Sequence, residues 1–245
     1  MDLGLKDKVA LVTGAGSQAG FGKGIALTLA KEGCDIIAAD IDIKGAEQTA
    51  AEVKALGRKA IAVKADVTSR AEVNNMVKAA LQQFGKIDIL VNNAGGSTPP
   101  HNFAETDEEE WDKDINLNLR GVLNCTRAVL PHMISLKSGK VVNISSVGGL
   151  MGVAGGSLYC AAKAGVINFT ASLAQEVAES GIRVNCIAPA LGNTAFYDNF
   201  PAEWTERVKA MGAAGRTTTP QDIGNAVAFL ASDVSIRIAG QCLRV

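Results

Sequence analysis

The sequence predicts an α/β fold: a single doubly wound parallel sheet with helices on both faces. Two observations carry this. Short apolar runs alternate with longer stretches of helical period, and that order demands parallel strands joined by right-handed crossovers. The chain is 47% apolar yet only 4% aromatic. Its core is therefore built from Ala, Val, Ile and Leu, as in sheets covered on both faces. At 245 residues the chain can bury a substantial core within one domain.

Taken in order, Lys8–Thr13, Asp35–Asp40, Lys59–Lys64, Asp88–Asn92, Lys140–Ser145 and Arg183–Ala188 read as strands. Helices are expected near 22–33, 44–56, 69–84, 107–137, 158–180 and 220–231. Gly33, Gly57, Gly85, Gly139 and Gly181 stand where helices should stop and a left-handed residue is useful. Thr68-Ser69 and Thr106-Asp107 precede helical runs as N-caps do. No linker, repeat or low-complexity tract divides the chain, so residues 1–245 are expected to form one domain. The least regular stretch, around 190–216, contains Gly192, Asn193, Pro201, Gly212 and Gly215. It is expected to be a lid over a site.

Composition narrows the partners. A formal net charge of −1, with no Lys/Arg run, offers no field for nucleic acid or an anionic membrane. The N-terminal residues lack the features of a leader, and nothing reaches the roughly 18 uninterrupted apolar residues of a membrane span. Cys34, Cys125, Cys160, Cys186 and Cys242 are scattered singly, without metal-ligand or redox spacing. Reduced thiols in a soluble, cytoplasmic protein are expected, with only Cys160, beside Tyr159, lining a site. His101 and His132 have no ligand-like partner spacing, and nothing demands a metal.

The first strand runs into Thr13-Gly14-Ala15-Gly16-Ser17-Gln18-Ala19-Gly20-Phe21-Gly22, and a helix follows. Glycines let the backbone turn sharply and approach a pyrophosphate, and the helix N-terminus offers free N–H groups with a positive dipole end. This is the start of a Rossmann-like dinucleotide site, with Gly14, Ser17, Gly20, Phe21 and Gly22 as candidate contacts. Glycine turns also serve structural ends; the position between strand and helix favours the cofactor. Asp40 ends the second strand, where a carboxylate accepts from both adenosine ribose hydroxyls and repels a 2′-phosphate. The bland alternative is a solvated strand-end carboxylate. With no Arg or Lys at 38–43, NAD is expected rather than NADP.

An ordered set of motifs then resembles the short-chain dehydrogenase/reductase family over essentially the whole chain. The set is Thr13-Gly14 with the glycine turn, Asp66-Val67, Asn92-Asn93-Ala94-Gly95, Asn118, Ser146, Tyr159-x-x-x-Lys163, and Pro189 followed by Thr194. Tyr159 and Lys163 stand one helical turn apart, so they share a face, and an ammonium there favours the phenolate. The resemblance implies that Tyr159 exchanges a proton with an alcohol or ketone and that Ser146 hydrogen-bonds the substrate oxygen. It further implies that Lys163 holds the nicotinamide ribose and that Asn118 holds a water linking Lys163 to solvent. Asp66 and Val67 would flank the adenine; Asn92, Ala94 and Gly95 would pass beneath the adenosine ribose. Pro189 and Thr194 would hold the carboxamide. Each residue alone also reads as an ordinary cap or helix face; their joint occurrence favours a site.

Three departures from the family pattern stand out. Gly14 to Gly20 implies two extra residues within Ser17–Ala19, or a register on Gly16, Gly20 and Gly22. Ala190 replaces a glycine, which matters if the backbone there needs positive φ. Residues 240–245 stand where the family continues through Asp-Gly-Gly and a tail that forms subunit contacts.

The leading expectation is NAD-dependent hydride transfer interconverting a secondary alcohol and its ketone, with a hydroxyacyl thioester or cyclic alcohol as substrate. Leu150, Met151, Val153 and Phe196 are expected around the substrate, with Tyr197 and Trp204 either closing over it or packing the lid onto the domain. One alternative is a 3-oxoacyl-[acyl-carrier-protein] reductase using NADPH, for which Lys137 would help dock the carrier while Ser180 would not. The other is a catalytically silent NAD-binding partner subunit. The resemblance also implies a homotetramer or dimer, assembled through the helices near 107–137 and 158–180.

Overall fold

Along β1 (Val9–Thr13) the side chains alternate between two cores. Ala10 and Val12 face one and Val9 and Leu11 the other; β2 (Asp35–Asp40) divides the same way, with Ile36 and Ala38 against Ile37 and Ala39. A strand apolar on both faces must be covered on both. The computed structural model describes residues 2–192, 194, 200, 202, 203, 205, 206 and 217–245. It shows a seven-stranded sheet in the order β3-β2-β1-β4-β5-β6-β7. The remaining strands are β3 (Ala60–Lys64), β4 (Ile89–Asn92), β5 (Gly139–Ile144), β6 (Ile182–Ala188) and β7 (Cys242–Arg244), and every pairing is parallel.

Helices α1 (Phe21–Lys31) and α2 (Ile43–Ala55) cover one face together with the last helix, Pro220–Ala231. The other face carries α3 (Arg70–Phe84), α4 (Glu108–Ile115), α5 (Gly121–Leu136) and α6 (Ser157–Glu176). We label Pro220–Ala231 α7. The chain moves outward from β1 to β3, then returns to start β4 on the other side of β1. Between β1 and β4 lies the switch point, where a crevice opens at the strands' carboxyl ends.

The structure departs from the sequence expectation in three places. β7 was not foreseen; it is three residues long, and its main signal is its pairing with β6. The single helix expected over 107–137 is interrupted by a π-helical turn at Asn116–Arg120, a feature frequent at functional sites. Its N-cap is Asp107, from the expected Thr106-Asp107 pair, in a reciprocal capping box with Glu110. Gly139 is not the left-handed residue after α5. Lys137 takes that conformation at φ 49°, and Gly139 begins β5 where a Cβ would lie 2.5 Å from Met133 Sδ.

Most of the expected lid lies outside the described residues, including Asn193, Phe196, Tyr197, Pro201, Trp204, Gly212 and Gly215. Among the described residues, no helix is long and apolar enough to cross a membrane.

Candidate active site

A knot of polar groups ties β1 to β4 at the switch point. Thr13 Oγ1 accepts from the backbone N–H groups of Asn93 (3.0 Å) and Ala94 (3.1 Å). The Asn93 amide donates back to the carbonyls of Thr13 (2.9 Å) and Gly14 (3.1 Å). Gly14 turns at φ 67°, and a Cβ on Gly22 would collide with its carbonyl. Gly14 thus takes the left-handed turn after Thr13 with Gly22 packed against it, while a Cβ on Gly16 would lie 2.7 Å from Asp40 Cγ.

The extra residues form a closed turn beside this knot. Gly20 N–H donates to Ser17 O (3.0 Å), and Gln18 Nε2 donates to the carbonyls of Gly16 (2.8 Å) and Gly45 (3.0 Å). Lys23 then bridges Gln18 Oε1 (2.8 Å) and Glu52 (2.7 Å). The extension is thus fastened to α2. We expect Gly22→Ala to weaken NADH binding at least tenfold and to lower the thermal midpoint, since the new methyl meets backbone and cannot be relieved by a rotamer change. Fluorescence titration and thermal unfolding read both; wild-type affinity in this variant would show the Gly14–Gly22 contact to be unimportant.

A groove enclosing about 840 Å³ runs along the carboxyl ends of the strands. At its near end are Gly14, Ser17, Gly20, Phe21 and Asp40; Asp66, Val67, Ala94 and Gly95 follow. Ser146, Tyr159, Lys163, Pro189 and Thr194 line its far end. The groove fits a dinucleotide. Helix α1 starts at Gly20 with no side-chain cap and no acidic residue in its first turn, which leaves its N-terminus open to an anion. The Asp40 carboxylate is held by the N–H groups of Gly16 (2.7 Å) and Asp42 (2.9 Å), one on each oxygen, and keeps lone pairs for two hydroxyls.

Three expected residues stand behind the wall rather than on it. Gly22 packs against Gly14. Asn92 is 2% exposed, its amide donating to Thr126 Oγ1 (2.9 Å) and Asn143 Oδ1 (2.8 Å), so its side chain does not reach beneath the ribose. Its neighbour Asn93 lines the groove instead. Strand alternation is the signal: adjacent residues face opposite ways until the strand ends. Asn118 is fully buried in the π-helical turn. Its amide is committed to Gly96 on both sides (3.2 and 2.7 Å) and to Asp114 O (3.0 Å). These bonds anchor the loop after β4. Lys113, Asn116 and Leu117 also line the groove and went unnoticed; Lys113 and Leu117 share a face at i, i+4.

At the far end, Ser146 Oγ accepts from Gly148 N–H (3.1 Å), which fixes its rotamer and leaves the hydroxyl proton to donate. A Cβ on Gly148 would sit 3.5 Å from Ser146 Oγ and 3.6 Å from Tyr159 Cε1, so both side chains border one small space. Lys163 Nζ lies 5.6 Å from the Tyr159 ring centroid and donates to Ile144 O (3.1 Å). Lys163 is 3% exposed, and burial pulls its pKa down to about 8. Gly95 closes over it: a methyl there would be 2.9 Å from Asn118 Oδ1 and 3.1 Å from Lys163 Nζ. Ala190 does not have positive φ, so the methyl costs nothing in backbone conformation. Both histidines are structural as expected: His101 holds Pro99 O and Glu110, and His132 accepts from Ile87 N–H.

The short chain dehydrogenase family model matches residues 8–204. The chain belongs to this family. Within it, the chain is 40% identical to the (2S)-[(R)-hydroxy(phenyl)methyl]succinyl-CoA dehydrogenase subunit BbsD of Thauera aromatica, covering 99% of this chain and 96% of that one. It is 39% identical to the 3-oxoacyl-[acyl-carrier-protein] reductase FabG of Thermotoga maritima, over 98% and 97% of the two chains. The 3-ketoacyl-(acyl-carrier-protein) reductase of Brucella melitensis, solved in complex with NADH, superposes with a TM-score of 0.92 at 38% identity, covering 98% and 97%. Family membership makes the chain an oxidoreductase whose Rossmann-like fold binds a nicotinamide cofactor.

Proposed function

We propose that the protein is an NAD(H)-dependent dehydrogenase that interconverts a secondary alcohol and its ketone, as one domain covered by a lid near 190–216. The carrying observation is a single groove with the Asp40 carboxylate at one end and Ser146, Tyr159 and Lys163 at the other. Gly14, Ser17, Gly20 and Phe21 would hold the pyrophosphate, Asp40 the adenosine ribose, Asp66 and Val67 the adenine, and Pro189 and Thr194 the carboxamide. When bound, the nicotinamide supplies or accepts the hydride.

The side chains handle the proton. In alcohol oxidation the Tyr159 phenolate takes the substrate hydroxyl proton, and in ketone reduction the phenol returns it. Ser146 donates to the same substrate oxygen as negative charge gathers on it. The Lys163 ammonium favours the phenolate and reaches toward the nicotinamide ribose. Asn118 acts at one remove: by clamping Gly96 it positions Gly95 against Lys163.

NAD is favoured over NADP because Asp40 places a negative charge where a 2′-phosphate would lie. Asp40→Asn keeps the shape and one acceptor while removing the charge. We expect it to narrow the NADH-to-NADPH preference in kcat/KM by about tenfold or more; an unchanged ratio would remove Asp40 from cofactor choice. A hydroxyacyl thioester or cyclic alcohol is the favoured substrate, supported by the thioester named for the Thauera relative. The second reading, an acyl-carrier-protein reductase, is supported by the Thermotoga relative. A cofactor-absorbance screen over acyclic, cyclic and CoA-linked alcohols and ketones, with each cofactor, separates the two. A large NADPH advantage on carrier-bound ketones reverses the order, and NADH binding without turnover on any member points to a silent subunit. The protein is expected in the cytoplasm as a homotetramer or dimer, with Leu123 and Ile134 exposed along one face of α5.

A further inference from the structure

The five cysteines are far apart in sequence, yet the sheet brings two of them together. Cys186 on β6 and Cys242 on β7 are direct partners in parallel register, so their side chains share one face. Neighbouring strands lie about 4.8 Å apart, inside the roughly 4.4–6.8 Å Cα separation that a disulfide spans. The two side chains lie within a small apolar cluster that includes Val122 and Val166, where Cys186 Sγ donates to Ile187 O (3.6 Å). Cys186 N–H donates to Gln241 O (2.8 Å), which pins the strands at this point.

The contact makes the two sulfurs unlike. Cys186 is fully buried, and the adjacent Cys242 sulfur together with desolvation keeps it protonated. Cys242 is partly exposed, and the adjacent Cys186 thiol draws its pKa below the usual thiol value. Cys34 and Cys125, by contrast, are buried with thiols pushed up to about 12.

We propose that Cys186 and Cys242 are an oxidisable dithiol: Cys242 reacts first with a hydroperoxide, and Cys186 resolves it to a disulfide joining β6 and β7. The Cys242 thiolate attacks one oxygen of hydrogen peroxide; the S–O bond forms, the O–O bond breaks, and hydroxide takes up a proton to leave as water. Cys186 sulfur then attacks the sulfenic sulfur. The S–S bond forms, the S–O bond breaks, and hydroxide departs with the Cys186 proton as a second water. The two sulfurs lose two electrons, and the two peroxide oxygens gain them. Such disulfides in reducing compartments are transient and redox-sensing. The site also adjoins Lys163, whose charge interacts with the Cys186 sulfur.

The test uses the native full chain, treated with hydrogen peroxide, alkylated and digested without reductant. Peptide mass spectrometry should find Cys186 and Cys242 linked, two hydrogens lighter, and released by dithiothreitol, with Cys34 and Cys125 still reduced. In Cys186→Ser, Cys242 should stop at a sulfenic acid that dimedone traps; the wild-type map decides the matter if that variant fails to fold. Cys242 overoxidised while Cys186 remains a free thiol would overturn the proposal. So would a disulfide joining Cys242 of two molecules, or both thiols unchanged under conditions that oxidise Cys160.

Discussion

Tyr159→Phe is expected to abolish turnover while leaving NADH binding largely intact. The substitution removes one oxygen and keeps the ring that stands 5.6 Å from Lys163 Nζ, so the cation keeps its aromatic neighbour and the groove its wall. What is lost is the only proposed proton-exchanging group bordering the space shared with Ser146. General acid–base catalysis contributes roughly 10²–10⁴-fold, and Ser146 cannot replace it, because a serine hydroxyl stays protonated near neutral pH. Cofactor absorbance measures turnover and protein fluorescence measures binding. Activity within tenfold of wild type would sink the mechanism; loss of both activity and NADH affinity would mean that the phenol serves binding instead.

Lys163→Met should also cost most of the turnover, and it carries a second signature in stability. Burial lowers the folded-state pKa of Lys163 to about 8, from 10.5 in an exposed chain. Between these values the unfolded state binds more protons than the folded state, so this group makes stability rise with pH across that window. Below pH 8 the full penalty of a buried ammonium is present, on the order of 3 kcal/mol. Methionine has a stem of similar length and no proton to lose. Denaturant titrations of the apo protein from pH 7 to 10.5 should therefore show a flatter pH dependence than wild type. Absolute stability is a poorer test, since losing the bond to Ile144 O costs about 1–3 kcal/mol in the opposite direction. Parallel pH profiles for the two proteins would remove Lys163 as a buried charge in the apo state.

The sequence carried the fold well, and the reasons are local. Six strands are short, mainly apolar runs, and each expected helix begins and ends within a few residues of its observed limits. β7 escaped because three residues are too few for a period, and only its partner makes it a strand. The π-helical turn escaped because an amphipathic pattern with one extra residue still reads as helical. Asp40 and Ser146, each placed by a strand end, and Tyr159, in the first turn of α6, all line the groove. The site was less legible where direction matters: Asn92 and Asn93 are identical letters, and only the pleat decides which one looks inward. Cys186 and Cys242 show the same limit at long range, since thiols opposed across two strands leave no spacing to recognise.

The fastening of residues 16–18 to α2 has a thermodynamic consequence. A segment rich in glycine ordinarily forfeits much conformational freedom when it closes around a ligand. Here Gln18 and Lys23 impose that loss when the chain folds. The dinucleotide would therefore meet a preformed cradle, and little of its binding energy would be consumed in ordering the loop.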